Sequence, residues 1–523
     1  MVDAVTIMWF KRDLRLFDQA PLAAALQSGR PVIPLYIVEP DYWCQPFAAR
    51  RHWHFIHDCL TELRADCAAL GQPLVVWIGD AIAVLQTLAQ SYRITAIHAH
   101  EETGNGWTYD RDVGVQGWCR QQGIAFHEWP ANGVVRRLPS RDQWAHQRNA
   151  RMAAALIAKP THLLPVIGLD PGEIPAKDSP LFGAAVPGIT QPRITQPGGR
   201  RAGVASLTPF LTKSGARYIY SLSAPGPAEQ HCSRLSPHLA WGSLSVREVV
   251  KATAARRAQL DADLCPDEHQ VWARNLSAFQ SRLSWRCHFV QKIEDRPAIE
   301  FRCMHKGCEA MRPRDADPHL YQAWADGRTG YPFIDACMRA LVHEGWLTFR
   351  MRAMLVSFAS YHLWLDWRQT GHHLARQFTD YEPGIHYSQL QMQSGVTGIN
   401  SLRIYNPVKQ SLDHDPDGVF IRRWVPELAA VPTSWIHQPW TMDAGLQQGA
   451  GCRIGHDYPA PIVDHQQAVR AARAAVAAIR KTDGFRAEAG RVYQQLGSRK
   501  RQAPRRKIGA RRPAKPQSQL PLF

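Results

Sequence analysis

No run in the 523-residue chain approaches the ~18 uncharged apolar residues that a membrane span requires, which argues against a helical membrane protein. Cysteine offers no framework either. The 11 cysteines are scattered and odd in number. With no signal peptide expected, they exclude a disulfide scaffold and point to free thiols in a reducing cytoplasm. Cys303 and Cys308 flank His305, but no matching second pair follows, so no metal site is expected. Acid is in short supply: 45 Asp and Glu stand against 62 Lys and Arg, a net charge of +17. That excess favours a polyanionic partner, nucleic acid first and an anionic membrane second. The glycine-rich GxGxxG turn is missing after the first strand, so a dinucleotide site of the usual kind is not supported.

What is present suffices for two or three domains with proper cores: 45% of the residues are hydrophobic, and 18 are tryptophan. Residues 1–130 alternate short apolar runs (4–10, 31–38, 73–79, 95–100 and 124–129) with helical patterns near 18–28, 50–71, 81–92 and 109–122. Nearly continuous apolar strands alternating with helices predict an α/β domain with a parallel five-stranded, Rossmann-like sheet covered on both faces. Ligands of such sheets gather at the carboxyl ends of the strands. There WFKRDLR, residues 9–15, follows strand one, and its charges either hold a ligand or tie down the domain.

Eight prolines between 160 and 197 punctuate 131–200, which reads as an interdomain connector. Helical periodicity returns over 201–480 and predicts an all-α domain. In SRLSPHLAWGSLS, 233–245, Ser233 and Ser236 either cap a helix or help hold a phosphate at its start. The richest stretch is 346–410. Its opening helix is apolar nearly all round, yet contains Arg350 and Arg352. A buried arginine needs an anion, either a carboxylate such as Asp380 or Glu382 or a bound ligand; otherwise both snorkel from an exposed edge. From 481 to 523 the chain reads as a basic disordered tail. SRKRQAPRRKIGARRPAKPQ alone holds nine basic residues and no acid, and it is either an arm attracted to phosphates or a solvated end.

WFKRDLRLFD, SRLSPHLAWG, DGRTGYPFIDACMRAL followed by EGW, RIYNP and FIRRWVPEL together resemble the photolyase/cryptochrome family, in order over about 1–445. The resemblance implies an antenna-type α/β domain, a helical domain holding FAD, and light-driven electron transfer from reduced flavin to a pyrimidine dimer flipped out of UV-damaged DNA. The alternative within the family is a cryptochrome-type photoreceptor that binds FAD without repair. By resemblance, Tyr220, Cys232, Ser233, Arg234, Leu235 and Ser236 match contacts to the FAD phosphates. Arg286, Arg352, Asp380, Tyr381, Glu382 and His386 match positions around the flavin. Trp285 matches a wall of the lesion pocket, Arg350 and Gln410 match DNA contacts, and Trp367 matches one member of an electron-carrying tryptophan chain. A second, antenna chromophore of folate or flavin type is allowed but not assigned to residues, although Glu101 and Glu102 lie near the expected place.

Departures from the family pattern gather at the lesion side. Arg282 stands where a dimer-gripping glutamate is expected, His386 where an asparagine faces the flavin, and Met392 where a second aromatic wall belongs. Ala353 replaces a methionine and Phe349 an asparagine. Leu390 and Arg314 occupy the other two tryptophan positions, which leaves Tyr361, Trp364 or Tyr387 as alternative electron carriers or as plain core. The histidine pair expected of (6-4) repair is not evident around Trp346. At the extreme C-terminus QLPLF, with Gln519, Leu520, Leu522 and Phe523 as anchors, resembles the short peptide with which bacterial repair proteins dock on the sliding clamp.

Overall fold

The computed structural model describes residues 4–183, 196–263, 265–315 and 317–499. Five parallel strands, β1 (Ala4–Phe10), β2 (Val32–Val38), β3 (Val75–Ile78), β4 (Arg93–His100) and β5 (Ala125–Trp129), form a sheet in the order β3-β2-β1-β4-β5. Every residue of β2 is buried, as expected when helices cover both faces. Alternation along β1 divides its side chains between two cores. Val5, Ile7 and Trp9 pack with Val84, Leu85 and Leu88 of one helix, Ala81–Ser91, and with Val115 and Trp118 of another, Gly106–Gln121. Met8 and Phe10 join Trp53 and Phe55 of Arg50–Ala68 in a core that continues into the helical part. The two halves therefore share buried apolar surface.

WFKRDLR ties these halves together. Arg12 donates from Nε to the Ala240 carbonyl (3.1 Å) and from Nη2 to the Tyr381 carbonyl (2.5 Å), and lies 4.5 Å over the Trp241 ring. Arg15 donates to the carbonyl of Gly242 (3.0 Å). Gly242 has φ +73°, and a Cβ there would lie 2.2 Å from the Arg12 carbonyl oxygen, so this seam accepts only glycine without rebuilding.

Four helices frame the helical part: α1 (Pro266–Asp295), α2 (Phe349–Ser357), α3 (Trp367–Gln377) and α4 (Pro383–Ser394). No helix among the described residues is long and apolar enough to cross a membrane. Several elements differ from expectation. The connector contains a helix, Arg141–Ala153, because Trp144, Arg148 and Met152 are buried at four-residue spacing in an otherwise polar stretch. The helix read over 346–366 starts only at Phe349. The Thr348 hydroxyl accepts the Met351 N–H there, and a π-helical turn, Phe358–His362, follows. α4 escaped notice because most of its residues are buried, leaving no amphipathic stripe.

The tail expected from 481 onward is corrected at its start. Phe485–Leu496 is a helix with Phe485, Val492 and Leu496 buried, and Phe485 stacks on His305 at 3.8 Å between ring centroids. His305 also bonds the Phe485 carbonyl through Nε2 (3.0 Å), so the histidine between Cys303 and Cys308 docks this helix. Residues 500–523, including QLPLF, lie outside the described residues.

Candidate flavin and lesion site

α1, α2, α4 and the loop 232–236 enclose a cavity of about 300 Å³ in the helical part. Its wall answers the puzzle of the buried arginine. Arg352 binds Asp380 with both guanidinium nitrogens, Nη1 to Oδ1 at 2.9 Å and Nη2 to Oδ2 at 2.8 Å, while Nε donates to the Leu347 carbonyl (2.9 Å). The guanidinium lies 4.0 Å over the Phe378 ring. A forked pair of this kind fixes direction as well as charge. Asp380 and Glu382 sit in the short turn between α3 and α4, where Pro383 starts the next helix. Arg286 of α1 donates to Glu382 and to the Leu239 carbonyl, so a second ion pair closes the floor.

The loop supplies further polar lining. Arg234 holds φ +54°, unusual for a residue with a side chain, and lays its guanidinium 4.1 Å over Trp346. Burial pushes the Cys232 thiol up to about 12, so it stays protonated at neutral pH. Arg282 and Phe349 also line the cavity, with the guanidinium 5.9 Å over the ring. The His386 imidazole bonds the Gly371 carbonyl through Nε2 (2.9 Å); burial pulls it down to about 3, so it is neutral and Nε2 carries the proton.

Among the expected site residues, Trp285, Arg286, Cys232, Ser233, Arg234, Leu235, Ser236, Arg352, Asp380, Tyr381, Glu382 and His386 line this one cavity. Four do not. Tyr220 is 77% exposed, and Tyr218 takes the place on the wall. The two differ by two positions on a helical turn and so face apart. Arg350 is half-buried outside the lining, on the side of α2 toward His414. Gln410, expected to contact DNA, is buried within Pro407–His414 rather than presented on the surface. Trp367 lies behind the wall, fully buried, beyond a chain of rings: Tyr381 lines the cavity, its hydroxyl donates to that of Tyr387 (3.2 Å), and the Tyr387 ring centroid is 6.4 Å from that of Trp367. Local patterns missed Tyr218, Gln389 and Gln393; the last two stand four residues apart on α4.

The cavity suits a large, flat, polar-edged ligand. Arg286 Nη1, both amide atoms of Gln389 and Oε1 of Gln393 are buried there without a hydrogen-bond partner, a cost that a bound group would remove. By contrast, the carboxyl end of the sheet is filled by its own charges. Arg111 bonds Glu39 (2.8 Å), Glu102 (3.1 Å) and Asp112 (2.8 Å), Lys11 pairs with Asp112, and the Arg111 guanidinium lies 4.8 Å over Trp9. The spaces beside this network are about 50 and 40 Å³, too small for a flavin or folate ring system as they stand.

Glu300 marks the seam between the halves. Its Oε2 accepts the Gly106 N–H (2.7 Å), and burial, reinforced by Asp110, raises its carboxyl from 4.5 to about 7. Because the folded-state value is the higher one, its contribution to stability is complete below about pH 4.5 and is lost as pH rises through about 7. Glu300→Gln should therefore flatten the pH dependence of unfolding across this window, by up to about 3 kcal/mol. Urea unfolding of both proteins at intervals across that range checks it; parallel curves refute the assignment.

Two family models match the chain: DNA photolyase over residues 6–139 and the FAD binding domain of DNA photolyase over residues 279–478. The chain is 30% identical to a deoxyribodipyrimidine photo-lyase of Vibrio cholerae over 479 residues, covering 88% of this chain and 97% of that protein. It is 28% identical to a cryptochrome DASH of Gloeobacter violaceus, with 90% and 95% covered. A class III photolyase structure from Agrobacterium tumefaciens superposes with a TM-score of 0.79 at 27% identity, covering 92% of this chain and 99% of that one. An ion-paired cavity in a helical half, behind a five-stranded parallel sheet and under these likenesses, places the chain in the photolyase/cryptochrome family.

Proposed function

We propose that the protein is an FAD-dependent, blue-light-driven DNA photolyase that reverses UV-induced pyrimidine dimers. The observation that carries this reading is the Arg352–Asp380 pair on the wall of a cavity that Trp285 also lines, in a chain of net charge +17. FAD, when bound, supplies the light-driven electron. The chain's own residues do the rest. Residues 232–236 would offer backbone and hydroxyl donors to the phosphates, and Arg352 would hold a fixed positive charge toward the bound ring, preorganised to favour negative charge there. Asp380 orients that guanidinium, and Trp285 offers a stacking face to an extruded base. Residues 1–130 form the antenna-type domain, 131–200 the connector, and the helical domain from 201 the flavin site.

A cryptochrome-type photoreceptor is the second reading, favoured by Arg282 on the cavity wall in place of an acid. Oligonucleotides bearing cyclobutane or (6-4) lesions, mixed with reduced protein under near-ultraviolet to blue light, separate the two. Restored bases are expected; bound, reduced flavin with neither lesion reversed would sink the repair reading. The protein acts in the cytoplasm, and QLPLF tethers it to the sliding clamp, raising its local concentration on DNA. Deleting residues 519–523 should abolish capture by immobilised clamp, and unchanged capture refutes the tether.

A further inference from the structure

Gln389 and Gln393 stand four residues apart on α4, hence on one face, and both line the cavity. Gln393 is 2% exposed with its Oε1 unpartnered, and both amide atoms of Gln389 are buried without a partner. Two such amides on one wall cost stability unless a ligand pairs with them. The other groups near them are committed: Asp380 is held by Arg352, Glu382 by Arg286, and the proton-bearing nitrogen of His386 by the Gly371 carbonyl. The two carboxamides therefore supply uncommitted acceptors and donors on this wall, beside the unpartnered Nη1 of Arg286.

A carboxamide carries an acceptor C=O and a donor NH₂ side by side. Its complement is an imide edge, an N–H flanked by carbonyl oxygens. We infer that Gln389 and Gln393 read such an imide edge within the cavity. Two sources share that chemistry, the pyrimidine ring of the flavin and the Watson–Crick edge of an extruded thymine. The inference rests on the function proposed above only for the second source.

The test uses full-length protein in two arms. In the first, wild type, Gln389→Leu and Gln393→Leu, stripped of flavin, are titrated with FAD and with N3-methyl FAD, which lacks the imide hydrogen. In the second, the flavin-loaded proteins are titrated in the dark with duplexes carrying a thymine dimer or its N3-methylated counterpart. If the edge is the flavin's, wild type discriminates against N3-methyl FAD by about fivefold or more and at least one leucine variant loses that discrimination. If it is the lesion's, the same pattern appears in the dimer arm alone. Discrimination below about fivefold by wild type in both arms overturns the inference, and needs no variant to fold. Wild-type discrimination that both leucine variants retain overturns it equally. Failure to bind dimer at all would count against repair while leaving the flavin arm decisive.

Discussion

Asp380→Ala is expected to release the flavin and to cost the protein about 3–5 kcal/mol of stability, the usual penalty for removing one partner of a buried ion pair. The carboxylate is almost fully covered, at 4% side-chain exposure, and takes both forks of Arg352, which is 25% exposed. Without it the guanidinium keeps the Leu347 carbonyl and the Phe378 face, and neither carries compensating charge. Urea unfolding of the flavin-free variant measures the stability term, and visible absorbance after gel filtration measures retention. Replacing both partners, Arg352→Met with Asp380→Leu, should return much of the lost stability, because no charge then stays buried alone, but not the flavin. A double variant that retained flavin at wild-type stoichiometry would show that the pair holds the fold and not the ring.

Glu382→Ala should be comparably damaging, for a different reason: one carboxylate serves two guanidiniums. It bonds Arg286 from the helical half. It also leads the carboxylate field that, against the opposing effect of burial, holds the Arg12 guanidinium above the ordinary arginine value. Its loss leaves Arg286 on the cavity wall and Arg12 at the seam behind it without this carboxylate, at a cost of about 3–5 kcal/mol. Arg12 anchors the loop after β1 to Ala240 and Tyr381, so the seam between the halves is expected to loosen along with the flavin site. Limited proteolysis of the variant should cut near residues 11–15 before global unfolding. Glu382→Gln, which keeps a hydrogen-bond acceptor without the charge, should fall between the two. Wild-type protease resistance and flavin content in the alanine variant would remove Glu382 from both roles.

Much of this architecture is legible locally. The strands appear as apolar runs because a parallel sheet covered on both sides buries both alternating sets of side chains. Trp285, Arg286, Arg352, Asp380 and Glu382 stand in motifs whose resemblance points to one pocket, and all of them line it. Elsewhere local reading fell short for identifiable reasons. Tyr218 and Tyr220 are the same residue type two positions apart, and only the course of the chain around Ser214–Arg217 turns one inward. α4 has no amphipathic stripe to betray it, so Gln389 and Gln393 drew no notice. The helix Phe485–Leu496 stands next to a strongly basic run and depends on His305, far back in the chain, for its docking surface.

Taken alone, the order of residues determined the α/β and all-α halves, the excess of positive charge, and the pool of side chains from which a flavin pocket would be drawn. These follow from hydrophobic period, composition and short motifs, which act over a few residues. Only the folded chain decided which charges meet. Arg352 and Asp380 are 28 positions apart, Arg286 and Glu382 are 96 apart, and Arg12 reaches a carbonyl 369 residues away. Such pairings are set by how helices and sheet close over a common core, where a charge must find its partner or not be buried at all, and no local pattern carries that information.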